Sequence, residues 1–169
     1  QLSAIAKLLG KYSDSLGRHP VMTLGAVLAV PDGMRIKSSA YKIYYKNTLD
    51  ETPFSSILKQ MGTGVDSSVF SIQLHGMEHY WPENLMTALQ STTGVKVLLD
   101  HGHPLRTETL PNVLQSRWLK IDGQSTHSLN DDEIEQAVRA EAEMFRSIFS
   151  VSARVIVPPT FVWNHKVEI

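Results

Sequence analysis

The sequence predicts an α/β domain in which parallel strands alternate with helices. Two observations carry that expectation. The strand-like stretches are continuous apolar runs rather than alternating ones, the pattern of strands buried on both faces. They are interleaved along the chain with stretches of helical period. The chain has 169 residues, enough for a single domain over 1–169 with a sizeable core.

Leu2, Ile5, Ala6, Leu8 and Leu9 follow helical spacing, and Gly10 is placed to stop the helix. The polar stretch from Ser13 to Pro20 reads as a loop. Val21 to Val30 reads as a buried strand in spite of Gly25, ended by a turn at Pro31-Asp32-Gly33. Tyr41 to Asn47 is either a short strand or a crossover. Ser55 to Met61 predicts a short helix, closed by Gly62 and Gly64.

Val69 to Leu74 is the central strand. Pro82 fits the first turn of the next helix, where its missing N–H costs nothing, and Leu85, Met86 and Leu89 give that helix an apolar face. Val95 to Leu99 is a short apolar run that predicts another buried strand, running into Asp100-His101-Gly102-His103-Pro104. Leu110, Val113, Leu114, Trp118 and Leu119 fit a helix from about Pro111, and Asp122-Gly123 is a turn signal. Asn130 with Glu133 is a capping-box start for the longest helix. Its apolar face is Ile134, Ala137, Val138, Phe145, Ile148 and Phe149. Arg154 to Val157 predicts a last strand, stopped by Pro158-Pro159, and the loop through Trp163-Asn164 leads toward a further helix.

Composition narrows the function classes. The formal net charge is −1 and Lys and Arg are scattered, so nucleic acid is not an expected partner. No apolar run reaches membrane-spanning length. Cysteine is absent, which excludes disulfides and thiolate metal sites and is compatible with either the cytoplasm or the periplasm. The chain opens inside a helical pattern without methionine and closes on Val167-Glu168-Ile169, so it reads as an excerpt, truncated at both ends of a longer protein.

The chemistry gathers after the central strand, in His75-Gly76-Met77-Glu78-His79-Tyr80-Trp81-Pro82. Two histidines four residues apart meet one metal ion either from one face of a helix or from a turn after a strand. Neutral imidazole suits zinc, nickel, cobalt or iron. A catalytic metal site also needs a third protein ligand and an open position. Asp100, which also follows a predicted strand, is a candidate for that third ligand. A solvated loop is the other reading of Asp100, His101 and His103.

Strand, His-x-x-x-His, helix, and a later strand ending in Pro-Pro-x-aromatic resembles the polysaccharide deacetylase superfamily, the NodB-homology domain. Gly17-Arg18-His19-Pro20, Pro31-Asp32, His75-Gly76-x-Glu78-His79 and the Pro159-to-Trp163 segment are similar to an uncharacterised bacterial branch in which His-Gly-x-Glu-His recurs. The resemblance implies part of a (β/α) barrel. It also implies a metal-dependent hydrolase that removes acetyl groups from an N- or O-acetylated carbohydrate, at amide or ester bonds. His75 and His79 would bind a divalent metal, zinc above all. Glu78 would fix a histidine tautomer, or else be a solvated or structurally paired carboxylate. Tyr80, Trp81, Phe161 and Trp163 would offer stacking surface to the sugar, or else pack in the core or at loop bases.

The chain departs from the family pattern at several points. The family's aspartate pair, which supplies a base and a ligand, has no counterpart on a strand before His75. Gly76 stands where Ser or Thr is usual, and Val157 where an arginine orients the base. The catalytic base and acid are therefore expected outside this chain. Two other functions fit the same residues. One is a non-catalytic carbohydrate-binding relative of the same fold. The other is a metalloprotease of the His-x-x-Glu-His type, whose histidines ride on a helix that Pro82 would cut short.

Overall fold

The computed structural model describes residues 1–91, 93–100, 109–123 and 125–168, with Thr93 and Asp100 described by backbone alone. The architecture is mixed α/β. Helix α1 (Leu2–Leu9) ends at Gly10, as its pattern predicts. Strands β1 (Met22–Ala26) and β4 (Phe70–Leu74) pair in parallel, with Met22 opposite Phe70 and Ala26 opposite Leu74. On the other side of β4, the Leu74 N–H donates to the Val155 carbonyl and the Val157 N–H to the Leu74 carbonyl, with a parallel bridge from Leu74 to Ile156. The predicted strand at Arg154 to Val157 is thus reduced to a bridge, but it lies where a parallel neighbour of β4 belongs. A full barrel is not formed by the described residues.

The expected strand from Val21 to Val30 divides in two. After β1, the chain leaves the sheet at Val27-Leu28 and forms β2 (Ala29–Pro31), which pairs antiparallel with β3 (Lys46–Thr48). Asp32 then accepts a hydrogen bond from the Arg35 N–H and caps a short helix, α2 (Gly33–Ser38), where the sequence predicted only a turn.

Helix α3 (Ser55–Asp66) runs through Gly62 and Gly64 instead of stopping at them. Gly64 is required by packing. A Cβ there would lie 2.0 Å from Cδ2 of Phe70, so the ring of the first β4 residue lies directly on the helix backbone. Helix α4 (Pro82–Ser91) starts at its proline and buries Leu85 and Leu89. Its buried Asn84 ties it to the next hairpin, donating to the Leu119 carbonyl at 2.7 Å and accepting from the Ile121 N–H at 2.9 Å.

The run Val95–Leu99 corrects the sequence reading. It is not a strand but the body of helix α5 (Thr93–Asp100). Val95 and Leu99 are buried, four residues apart, while Val97 is exposed, which is helical spacing. They close a core with Ile36, Tyr80, Leu85, Leu89, Leu110 and Leu114. Burial against α2 and α4 outweighs the modest strand preference of valine. Asp100 therefore ends a helix, not a strand, and the reason for placing it beside the histidines falls away. Its side chain, and His101 and His103, lie outside the described residues.

The predicted helix from Pro111 is a single 3-10 turn, Asn112–Leu114. It is followed by a hairpin, β5 (Leu119–Asp122) and β6 (Ser125–Ser128), which the sequence did not announce. The hairpin turns at Gly123, whose φ of +60° suits glycine. Helix α6 (Asp131–Phe149) carries the predicted capping box. The Asn130 side chain accepts from the Glu133 N–H at 2.9 Å, and the Glu133 carboxylate accepts from the Asn130 N–H at 3.1 Å. Phe145 of α6 joins Ala26, Leu28, Leu74 and Met77 in the core beside the parallel strands. No helix among the described residues is long and apolar enough to cross a membrane.

Candidate functional site

The parallel strands deliver His75 to its position. Its N–H donates to the Ala26 carbonyl at 2.9 Å, which prolongs the β1–β4 ladder by one residue. The loop stays attached beyond that point, with the Leu28 N–H on the Gly76 carbonyl and the Ala29 N–H on the Met77 carbonyl. Gly76 has a φ of +109°, and a Cβ there would sit 3.1 Å from the Glu78 carbonyl, so the turn after His75 needs glycine. Gly25 has a related role on the neighbouring strand. A Cβ at Gly25 would lie 3.3 Å from that of His75, so its lack of a side chain leaves the histidine room.

His75 and His79 converge. Their ring centroids are 5.0 Å apart, in an edge-on arrangement. Nδ1 of His75 is 2.6 Å from the Val157 carbonyl, and Nδ1 of His79 is 3.1 Å from the Gln115 carbonyl. A carbonyl oxygen only accepts, so each Nδ1 must carry the proton. In the neutral ring this leaves the lone pair on Nε2. Backbone carbonyls that fix the tautomer in this way are the usual support of metal-binding histidines. Among the described residues, no group of three His, Cys, Asp or Glu side chains gathers to hold a metal ion. The histidine pair fits two ligands of such a site, not a complete one.

Glu78 points its chemistry elsewhere. It is 1% exposed and its Oε2 accepts from Nη1 of Arg117 at 2.7 Å. Its Oε1 accepts from the Tyr44 hydroxyl at 3.1 Å and lies 3.4 Å from Nζ of Lys46. The same guanidinium donates through Nε to Oε1 of Glu141 at 2.6 Å and through Nη1 to the Tyr80 carbonyl at 3.3 Å. Arg117 thus joins the histidine loop to α6, two residues after Gln115 holds His79. A carboxylate committed to Arg117 is not placed to take a proton from water. The motif also lies on a loop rather than a helix, so the arrangement that the metalloprotease pattern needs is not formed.

Tyr80, expected to offer a stacking surface, is 3% exposed and enclosed in the core. Since the one Tyr44 proton goes to Glu78, the Tyr80 hydroxyl donates to the Tyr44 oxygen across 3.2 Å. Burial, reinforced at Tyr44 by the neighbouring Tyr80 and Glu78, pushes both phenols up and keeps them protonated. Trp81 is half-buried, with the Arg117 guanidinium carbon 5.4 Å from its ring centroid. Phe161 and Trp163 are exposed, at 75% and 46%, on the segment that continues from Val157. Pro159 of that segment packs toward Gly76, and Trp163 Nε1 donates to Glu168 at 2.8 Å.

The sequence reasoning missed Arg117, Glu141, Tyr44 and Lys46. For Glu141 a signal existed. It falls seven residues after Ile134 and four before Phe145, on the apolar stripe of α6, where a carboxylate requires a buried counter-ion. Nothing in the sequence says which cation supplies it.

Comparison with known proteins finds no matching family model, no matching curated protein and no matching solved structure.

The Glu141 carboxyl is pushed above its ordinary value of 4.5 by burial, an effect that Arg117 opposes. A folded-state value above the unfolded one means that the folded chain holds the proton more tightly. The associated stability is fully present below the unfolded value of 4.5 and is lost as pH rises through the raised folded value. Glu141→Gln is expected to flatten that decline. Urea unfolding at a series of pH values from the acid side to neutrality checks this, and an unchanged slope would refute it.

Proposed function

We propose that this chain is part of a metal-dependent hydrolase that removes acetyl groups from an N- or O-acetylated carbohydrate. On this reading the fold belongs to a (β/α) barrel of the deacetylase type, with β1, β4 and the segment at Ile156 as neighbouring staves. The observation that carries the reading is the histidine pair at the end of a parallel strand, each ring held through Nδ1 by a backbone carbonyl. Ligands commonly bind outside the carboxyl ends of parallel strands. His75 and His79 would hold a divalent cation, zinc above all, which would polarise the acetyl carbonyl and activate water.

The chain's own residues support the rest of the reading. Gly25 and Gly76 make the space and the turn that the pair requires. Phe161 and Trp163 offer exposed rings on the segment that anchors His75, the kind of surface on which a sugar face packs. The Glu78–Arg117–Glu141 cluster braces the loop from beneath rather than taking part in proton transfer. The third ligand and the catalytic base and acid are assigned to residues beyond those described.

The test is metal content by mass spectrometry of the purified protein and of His75→Ala and His79→Ala. Near-stoichiometric metal in the parent, lost in both variants, is the expected result. A parent protein that takes up no metal when dialysed against zinc overturns the reading and leaves the histidines a structural role.

A further inference from the structure

His75 and His79 are held by different parts of the molecule. The parallel strands fix His75, through the Ala26 carbonyl on its N–H and the Val157 carbonyl on Nδ1. At His79 the chain has left the sheet, and Arg117 packs against it from the far side of the loop.

Arg117 reaches three residues of that loop. Its Cδ lies against Gly76, 3.7 Å from where a Cβ would sit. Its Nη1 donates to Oε2 of Glu78 at 2.7 Å and to the Tyr80 carbonyl at 3.3 Å, so one nitrogen grips the residues before and after His79. Its Nε donates to Glu141 of α6 at 2.6 Å, which fixes the plane of the guanidinium. The guanidinium carbon is 5.4 Å from the ring centroid of Trp81 and 5.8 Å from that of Trp118.

The main chain of the same segment supplies the other half of the arrangement. Two residues earlier, the Gln115 carbonyl accepts from Nδ1 of His79 at 3.1 Å. That carbonyl is aimed by its own turn. The Gln115 N–H donates to the Asn112 carbonyl at 3.1 Å, and its side-chain Nε2 donates to the Leu110 carbonyl at 2.9 Å. The Arg117 side chain thus places the loop that carries the ring, and the backbone leading into Arg117 places the acceptor. A lysine does not reproduce this, because one ammonium lacks the planar fork that serves Glu78 and Glu141 from separate nitrogens.

We propose that Arg117 is the positioning residue of His79, fixing its Nδ1–H tautomer and the direction of its Nε2 lone pair, while the sheet sets His75 independently. The consequence for metal rests on the reading of the two histidines as ligands. The tautomer does not rest on it.

The test is the long-range ¹H–¹⁵N spectrum of the imidazole rings in metal-free protein, at a pH well above the ordinary imidazole value. Both rings of the parent are expected to show the Nδ1–H tautomer. In Arg117→Lys, His79 is expected to move to a mixture of tautomers, as an imidazole freed from its carbonyl does, and His75 to stay as it is. Leu89→Ala, a cavity in the other core, controls for lost stability and is expected to leave both rings unchanged. Where Arg117→Lys does not fold, Glu141→Leu decides. It leaves Arg117 and Glu78 as a balanced pair but frees Nε, and is expected to move His79 alone by a smaller amount. Zinc affinity is then expected to fall about 10- to 100-fold in the variant that moves His79. A parent His79 without the Nδ1 proton, an unmoved His79 in the deciding variant, both rings moving together, or the same change in Leu89→Ala would each overturn the proposal. A protein that binds no zinc but shows the selective change at His79 would overturn the metal reading and leave the positioning role standing.

Discussion

Arg117→Ala is expected to destabilise the fold by about 3–5 kcal/mol, because removing one member of a buried ion cluster strands the charges it was paired with. Arg117 is 4% exposed, and its two carboxylate partners, Glu78 and Glu141, are 1% and 0% exposed. Without the guanidinium, Glu141 loses its ion-pair partner and Glu78 keeps only Lys46, at 3.4 Å. The loss is expected to shrink in acid, where protonation removes the stranded charge. The cluster is costly to break without being the most stable way to fill its space. Arg117→Met combined with Glu78→Gln and Glu141→Leu is therefore expected to recover most of the stability, since a well-packed apolar replacement of a buried ion pair is often neutral or better. The glutamine oxygen still accepts from Tyr44. Urea unfolding of the single and combined variants decides the matter. A single variant as stable as the parent would show that the cluster contributes nothing.

The second large effect is a contrast between two glycines of α3. Gly62→Ala is expected to stabilise the protein by about 0.5–1 kcal/mol, the ordinary gain from replacing glycine within a helix. A Cβ at Gly62 meets nothing within 4 Å. Gly64→Ala brings the same propensity gain but drives a Cβ to 2.0, 2.6 and 2.7 Å from three atoms of the Phe70 ring. Phe70 is 4% exposed and begins β4, so its ring cannot swing into water without opening the core or shifting the strand. Overpacking of this kind costs about 1–3 kcal/mol and more when the backbone must move, so a net loss of about 2 kcal/mol or more is expected. Adding Phe70→Leu is expected to relieve part of the loss, giving a coupling that a double-mutant cycle measures. Strict additivity of the two changes would count against the contact. Because β4 leads directly into His75, Gly64→Ala is also expected to lower metal uptake if the strand shifts.

The elements legible in the sequence are those written in local signals. Gly10 ends α1, Pro82 opens α4, and the Asn130–Glu133 capping box opens α6, each as the residues announce. The central strand and the histidines at its end were legible for the same reason, as an apolar run followed at once by polar side chains. These features depend on backbone geometry over a few residues, which the side chains there control directly.

Tertiary structure decided the rest. Val95–Leu99 carries valine and leucine that suit strand or helix over five residues, and only burial against α2 and α4 makes it α5. The β5–β6 hairpin escaped notice because Ser125–Ser128 is exposed and polar, so it shows no apolar alternation. At the site, the sequence supplied the histidines, but the carbonyls of Val157 and Gln115 that fix their tautomers come from 82 and 36 residues away. The partner of Glu78 comes from 39 residues away. Charge and backbone hydrogen bonding act through space at about 3 Å. Which groups come that close depends on how the helices pack around the parallel strands, and no local pattern records it.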